Sequence, residues 1–152
     1  MHDDLLSELQ TTIERQIPMC AHIGIRVHSY GEHGLTLRAP LERNRNHQQT
    51  AFAGSLNALC TVSGWGTVFL LARRHGMSGD IVIRRSAIKY LKPVECEHIL
   101  ATCGPVDPAA FEHFLAMFHD KGQAKIELRS EIHSGEDLAV TFIGSYVVLG
   151  RK

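Results

Sequence analysis

Phe52-Ala-Gly-Ser-Leu-Asn-Ala-Leu-Cys-Thr-Val-Ser-Gly-Trp-Gly-Thr-Val-Phe-Leu-Leu-Ala-Arg-Arg74 carries no charge before Arg73 and no proline. As a helix it would span roughly 33 Å. A helix apolar on all sides is buried either in protein or in lipid. Ser55, Asn57, Thr61, Ser63 and two interior glycines suit a membrane poorly, so burial inside a globular protein is expected and a membrane span is not. The small residues Ala53, Gly54, Ser55, Ala58, Gly64 and Gly66 let other backbones approach closely. A sheet wrapped around this helix needs that approach.

The totals agree with such a core. A chain of 152 residues with 44% hydrophobic and 21% charged side chains is expected to form one domain, residues 1–152. Lys+Arg 16 balances Asp+Glu 16, so no basic field argues for nucleic acid or an anionic membrane. The acidic start Met-His-Asp-Asp precedes no apolar signal core, so no secretion or transit signal is read. Cys20, Cys60, Cys96 and Cys103 show no CxxC spacing and read as reduced, mostly buried thiols of a cytoplasmic protein.

Outward from the central stretch, residues 3–17 read as an amphipathic helix, with Leu5, Leu6, Leu9, Ile13 and Ile17 at helical spacing and Pro18 as its stop. Two strands are expected at 23–30 and 35–39, joined by a turn at 31–34 and closed by Pro40. Residues 41–51 are polar and irregular and lead into the central helix. Beyond it, strands are expected at 80–92 and 98–103. Asp107, Pro108 and Gly122 bracket a short helix as N-cap, first helical position and terminator. Its stripe is Phe111, Phe114, Leu115 and Phe118. From 124 to 133 apolar and charged residues alternate, and 138–149 runs back apolar on both faces. The chain therefore reads as α+β: an antiparallel sheet around a long central helix, with an N-terminal helix and a short extra helix between strands four and five.

Particular residues narrow this further. Ile17-Pro18 with Ile23-Gly24-Ile25 is similar to the entry segment of hot-dog thioesterases, and Ile88-Lys-Tyr-Leu-Lys-Pro-Val94 resembles one of their strands. Asn46-His-Gln-Gln-Thr-Ala-Phe-Ala-Gly-Ser-Leu56 with Gly64-Trp65 resembles the thioesterase-like domain of the YiiD C-terminal type, found alone or behind an acetyltransferase domain. The resemblance covers nearly the whole chain. It implies the hot-dog fold and a homodimer or a dimer of dimers (homotetramer), with sheets joined edge to edge. It also implies an acyl-thioester site at the subunit interface. The substrates implied are acyl-CoA or acyl-carrier protein thioesters, coenzyme A or phosphopantetheine entering only as part of the substrate. Fold alone does not fix function, since hot-dog proteins include hydratases and non-catalytic members.

Thioester hydrolysis requires a polarised carbonyl, a positioned water and a group that takes its proton. Free amides at the helix start near Gly54 meet the first need; Gly54 serves equally well as a packing residue. The base is harder to find. Many hot-dog thioesterases carry His-Gly-Gly at this helix start and a carboxylate two turns along; here Phe52-Ala53-Gly54 and Thr61 stand at those positions. No Asp or Glu lies between Arg45 and Gly79. Gly54, Asn57, Thr61 and Gly64 share one stripe, where Asn57 and Thr61 can orient a water or be satisfied core groups. Asn46 and His47 lie on the approach loop: His47 as the nearest imidazole, one of ten histidines, and Asn46 as carbonyl donor or turn former.

The catalytic candidates are thus Asn46, His47, Gly54 and Thr61. Thr50, Phe52, Ser55, Asn57, Arg84 and Lys89 are the substrate-binding candidates, Arg84 and Lys89 through phosphate contacts or else as a solvated face. Asp80 is a further carboxylate if its strand folds back over the helix. The phenylalanine stripe of the short helix roofs an acyl tunnel or packs the core. The histidines lack metal-ligand spacing, so no metal is expected. Acyl-thioester hydrolysis is the leading reading. A non-catalytic acyl-thioester binder is the alternative that the missing carboxylate favours, and a hydratase ranks third.

Overall fold

A computed structural model describes residues 2–151. The elements in order are α1 (His2–Gln16), α2 (Pro18–Ile23), β1 (Arg26–Gly31), β2 (Gly34–Pro40), a 3-10 turn (Leu41–Asn44), α3 (Ala53–Arg74), β3 (Gly79–Tyr90), β4 (His98–Cys103), α4 (Pro108–Lys121), β5 (Gln123–Ser134) and β6 (Asp137–Gly150). The six strands form one antiparallel sheet in the order β1-β2-β4-β5-β6-β3. Helix α3 packs across β2, β4, β5, β6 and β3. Of its most apolar 18 residues, 67% are buried, so protein encloses most of a helix long and apolar enough to cross a membrane.

The β5 alternation holds: Ala124, Ile126, Leu128, Ser130 and Ile132 are buried, and their neighbours are not. From β6, Val140, Phe142, Tyr146 and Val148 join them, all at most 1% exposed. Leu35, Leu37 and Ala39 of β2 and Ile99, Ala101 and Cys103 of β4 complete the inner face. Helix α4 is capped as its residues require. The Asp107 carboxylate accepts from the Ala110 amide at 3.1 Å, and Gly122 takes the left-handed φ of 72° that ends the helix.

Two expectations change. The alternation of Ile23, Ile25 and Val27 predicts a strand from residue 23, yet 18–23 is helix α2 and the strand starts at Arg26. Pro18 stops α1 and then begins α2, where its missing amide costs nothing. Gly24, at φ 81°, terminates α2 with its amide on the Cys20 carbonyl at 3.0 Å. The second change is in β3, where the register slips between Ile83 and Arg85 and Arg84 is the extra residue of a bulge. The half-buried positions therefore shift from Ile81 and Ile83 to Ile88.

Candidate functional site: the leading end of the central helix

Helix α3 begins without a capping side chain. Phe52 stands at its N-cap, and no side chain there accepts from the first amides. The Phe52 carbonyl takes the amides of Ser55 (3.0 Å) and Leu56 (3.2 Å). The Ala53 and Gly54 amides have no acceptor among the described residues. Both residues are exposed, so the positive end of the helix opens to an external acceptor. A capping Ser, Thr, Asn or Asp would have stabilised this end by about 1 kcal/mol and would have occupied it.

Three attachments fix the helix tip. The Phe52 amide donates to the Asn44 carbonyl at 2.7 Å and the Ala51 amide to the Val94 carbonyl at 2.9 Å. The Tyr90 hydroxyl, at the far end of β3, donates to the Ala53 carbonyl at 3.3 Å. The ring of Phe52 lies over Gly54, in the space a Cβ there would enter.

The approach loop, residues 45–51, is built around Asn46. Its Oδ1 accepts the amides of Gln48 (2.8 Å) and Thr50 (3.1 Å). Its Nδ2 donates to Thr50 Oγ1 (2.8 Å) and the Ala51 carbonyl (3.3 Å). Those four bonds fill the capacity of the amide, so neither hydrogen is left for a substrate carbonyl in this geometry. Asn46 and Thr50 hold the loop. His47 stands exposed on the bend and makes no hydrogen bond or ion pair among the described residues.

Along α3 the half-buried residues Ser55, Asn57, Ala58, Thr61 and Trp65 continue from exposed Gly54 as an open strip, and residues 66–70 beyond it are all buried. Thr61 Oγ1 donates to Asn57 Oδ1 at 3.2 Å, which leaves the Asn57 NH₂ free to donate. The strip ends at Trp65, whose indole stacks on Phe69 with centroids 5.5 Å apart. From behind, the Tyr146 hydroxyl donates to the Thr61 carbonyl at 2.8 Å. Burial pushes the Tyr146 phenol well above its ordinary value, with smaller contributions from Cys103 and Cys60, so it remains a protonated donor.

Other candidates lie apart. Arg84 and Lys89 are exposed on β3, the outermost strand on this side of the sheet, with no ion-pair partner among the described residues. Asp80 does not fold back over the helix tip. It begins β3, at the opposite end from Tyr90, and pairs with Arg151 at 3.0 Å. The α4 phenylalanines also sit at the wrong end to cover Gly54. Phe111 packs edge-on against His75, the C-cap of α3, with centroids 4.7 Å apart, and Phe114 is fully buried. No three described His, Cys, Asp or Glu side chains are grouped to hold a metal.

Sequence reading missed Tyr90 and Tyr146, because both donate to backbone carbonyls and no spacing rule reports such a pair. A faint signal did exist at Ser130, the one polar side chain in the inward set of β5.

The sheet and the helix it encloses define a protein of the hot-dog class. Residues 6–150 match the family model described as "Putative thioesterase (yiiD_Cterm)", and the chain belongs to that family. A protein of unknown function from Chlorobaculum tepidum TLS is 30% identical, with a TM-score of 0.93 over 98% of this chain and 96% of that one. A Shewanella oneidensis protein described as a "putative thioesterase" is also 30% identical, with a TM-score of 0.87 over 97% of this chain and 99% of that one. A thioesterase from Haemophilus influenzae is 16% identical, with a TM-score of 0.70 over 95% of this chain and 90% of that one; at that identity the likeness is one of fold.

Proposed function

We propose that the protein is a cytoplasmic acyl thioesterase acting on coenzyme A or carrier-protein thioesters. The observation that carries the reading is the uncapped start of α3, two unpaired amides on an exposed tip, in a chain of a thioesterase family. The thioester oxygen lies against the Ala53 and Gly54 amides. Water attacks the carbonyl carbon, the negative charge builds on that oxygen, and the carbon–sulfur bond then breaks to release the thiol. One such donor is worth about 10²–10³ in rate. The acyl chain follows the open strip past Asn57 and Thr61 towards Trp65. Asn57 holds the water through its free NH₂. His47, the unengaged imidazole of the approach loop, takes the proton from the attacking water and returns it to the departing sulfur, with Asn46 and Thr50 shaping the loop that carries it. Arg84 and Lys89 meet the phosphates of the thiol carrier.

A second copy of the chain completes the site. The strip and the neighbouring β3 edge are open in the single chain, and Phe52 (55%), Tyr90 (48%) and Leu91 (53%) are exposed beside them. The two copies join through this edge.

The absence of any carboxylate on α3 favours one other reading, a binding protein that holds acyl thioesters without cleaving them. A panel of short to long acyl-CoA substrates, with released thiol measured, separates the two. Turnover that falls in His47→Ala is expected. No turnover of any substrate, with a non-hydrolysable acyl-CoA analogue still bound, selects the binding protein. Unchanged turnover in His47→Ala removes the histidine from the mechanism.

A further inference from the structure

An all-round apolar helix has a weakness as the carrier of a site. Burial is non-directional, so a small roll or slide of α3 under the sheet exposes little new surface. Gly64 and Gly66 carry no side chain of their own to key the helix, and Tyr146, Leu35 and Leu9 pack directly against their bare backbone. Hydrogen bonds are directional and resist such displacement. In this core they are concentrated on one turn. Tyr146 of β6 donates to the Thr61 carbonyl at 2.8 Å, and Ser130 of β5 meets Ser63 Oγ at 2.7 Å, which itself donates to the Cys60 carbonyl at 2.7 Å. Adjacent strands thus hold one turn of α3, Tyr146 directly on a carbonyl and Ser130 through the Ser63 hydroxyl. Tyr146, Ser63 and Ser130 are each at most 1% exposed, so water does not replace these bonds. Gly64 is the complement: a Cβ there would run into the Tyr146 hydroxyl and ring. The pinned turn carries Thr61, whose hydroxyl holds Asn57, and lies about 12 Å from the Ala53 amide along the helix.

We propose that Tyr146 is a positioning residue, assisted by Ser130: with the tip already tethered through Ala51, Phe52 and Ala53, its hydroxyl on the Thr61 carbonyl is the second anchor that fixes the roll of the central helix, and so aims Asn57 and the tip amides. This rests on the thioesterase reading above for its kinetic consequence, though not for its structural one. Tyr146 touches no reacting atom. It acts through the helix.

The test compares Tyr146→Phe with Phe114→Leu, a core change beside the other end of α3. Both should lower the melting temperature. In Tyr146→Phe, kcat should fall on the order of ten- to a hundredfold, the scale of a misplacement near 1 Å. KM should stay within about twofold, because the lost interaction is one of alignment. Phe114→Leu should keep kcat. In parallel, ¹⁵N spectra should show the Ala53 and Gly54 amides and the Asn57 side-chain NH₂ displaced in Tyr146→Phe only. Equal kcat losses in the two variants, or unmoved Ala53, Gly54 and Asn57 signals, overturn the proposal. If wild type cleaves no thioester, the functional reading fails and the spectra still decide the structural claim. Should Tyr146→Phe not fold, Ser130→Ala removes the second hydroxyl and is judged by the same two readouts.

Discussion

Gly54 and Gly64 lie ten positions apart on one helix and are there for opposite reasons. At Gly64 a methyl group would enter the space of the Tyr146 ring. Alanine is the better helix former by about 1 kcal/mol, but overpacking a full core costs about 1–3 kcal/mol. Gly64→Ala should therefore lower stability, and urea unfolding of the variant measures it. At Gly54 the same methyl meets only the ring of Phe52, which is exposed and free to swing aside. Gly54→Ala should stay within about 0.5 kcal/mol of wild type in the same experiment, as an ordinary surface change does. Its thioester turnover should nevertheless fall, because the methyl narrows the approach to the tip amides. A Gly54→Ala variant with full turnover would show that substrate does not reach this end. The cysteines separate in a similar way. Burial pushes the Cys60 thiol up to about 12, with Cys103 adding to it, and burial also raises Cys20 and Cys103. Only Cys96 is not fully buried. Ellman's reagent should titrate one thiol quickly in the native protein and the others on unfolding. The folded-state values lie above the ordinary 9.0, so the stability they contribute is whole below that pH. It is lost as pH rises from there towards the folded values, because the unfolded chain ionises first. Unfolding curves should be flat from pH 7 to about 8.5 and move to lower urea above that. A midpoint unchanged at about pH 10.5 would contradict the buried-thiol account.

At the scale of the element, α4 was the most legible. Asp107, Pro108 and Gly122 each act where local rules put them. Asp107→Ala should cost about 1 kcal/mol in thermal unfolding. It should leave turnover unchanged, since α4 packs beside the C-terminal end of α3. A drop in turnover without a drop in stability would instead place α4 near the substrate. Strand β5 was legible too, because its alternation is unbroken. Two elements resisted for physical reasons. In α2, Pro18 ends one helix and opens another, and Ile23, Ile25 and Val27 mimic a strand across the junction. In β3, the bulge at Arg84 changes which parity faces inwards, so no single alternation describes the strand. The site divides the same way. The open helix tip is visible in the composition of 52–54, because Phe, Ala and Gly have no side-chain oxygen to accept the first amides. The loop role of Asn46 is not, because it depends on four bonds that form only when 45–51 folds back. The Tyr146 contact spans 85 residues and ends on a backbone carbonyl, so nothing local announces it.

For the whole molecule the question is what becomes of the two sheet edges. Strand β1 is six residues long, and α1 covers it: Gln10 Oε1 accepts the Val27 amide at 2.6 Å, and Glu14 pairs with Arg26 at 3.3 Å. Strand β3 is twelve residues long, pairs on one side only with β6, and carries exposed Val82 and Tyr90 with Leu91 just beyond it. A long open edge pairs with another strand unless something blunts it; here the bulge at Arg84 and the charges of Arg85 and Lys89 interrupt the middle, and the apolar Val82 and Tyr90 on either side stay open to a partner. The proposed occupant is the β3 edge of a second copy, which would also wall the open strip of α3. Light scattering should then give twice the 16.9 kDa chain mass. Val82→Glu with Leu91→Glu should give a folded monomer at the same concentration, since burying four charges across a twofold interface costs far more than the edge bonds return. If the second copy completes the site, that monomer should lose turnover by about tenfold or more while its circular dichroism is unchanged. Wild-type protein that is monomeric and still cleaves thioesters would show that the helix tip works alone. A monomeric variant with full activity would separate assembly from catalysis and leave β3 a purely structural edge.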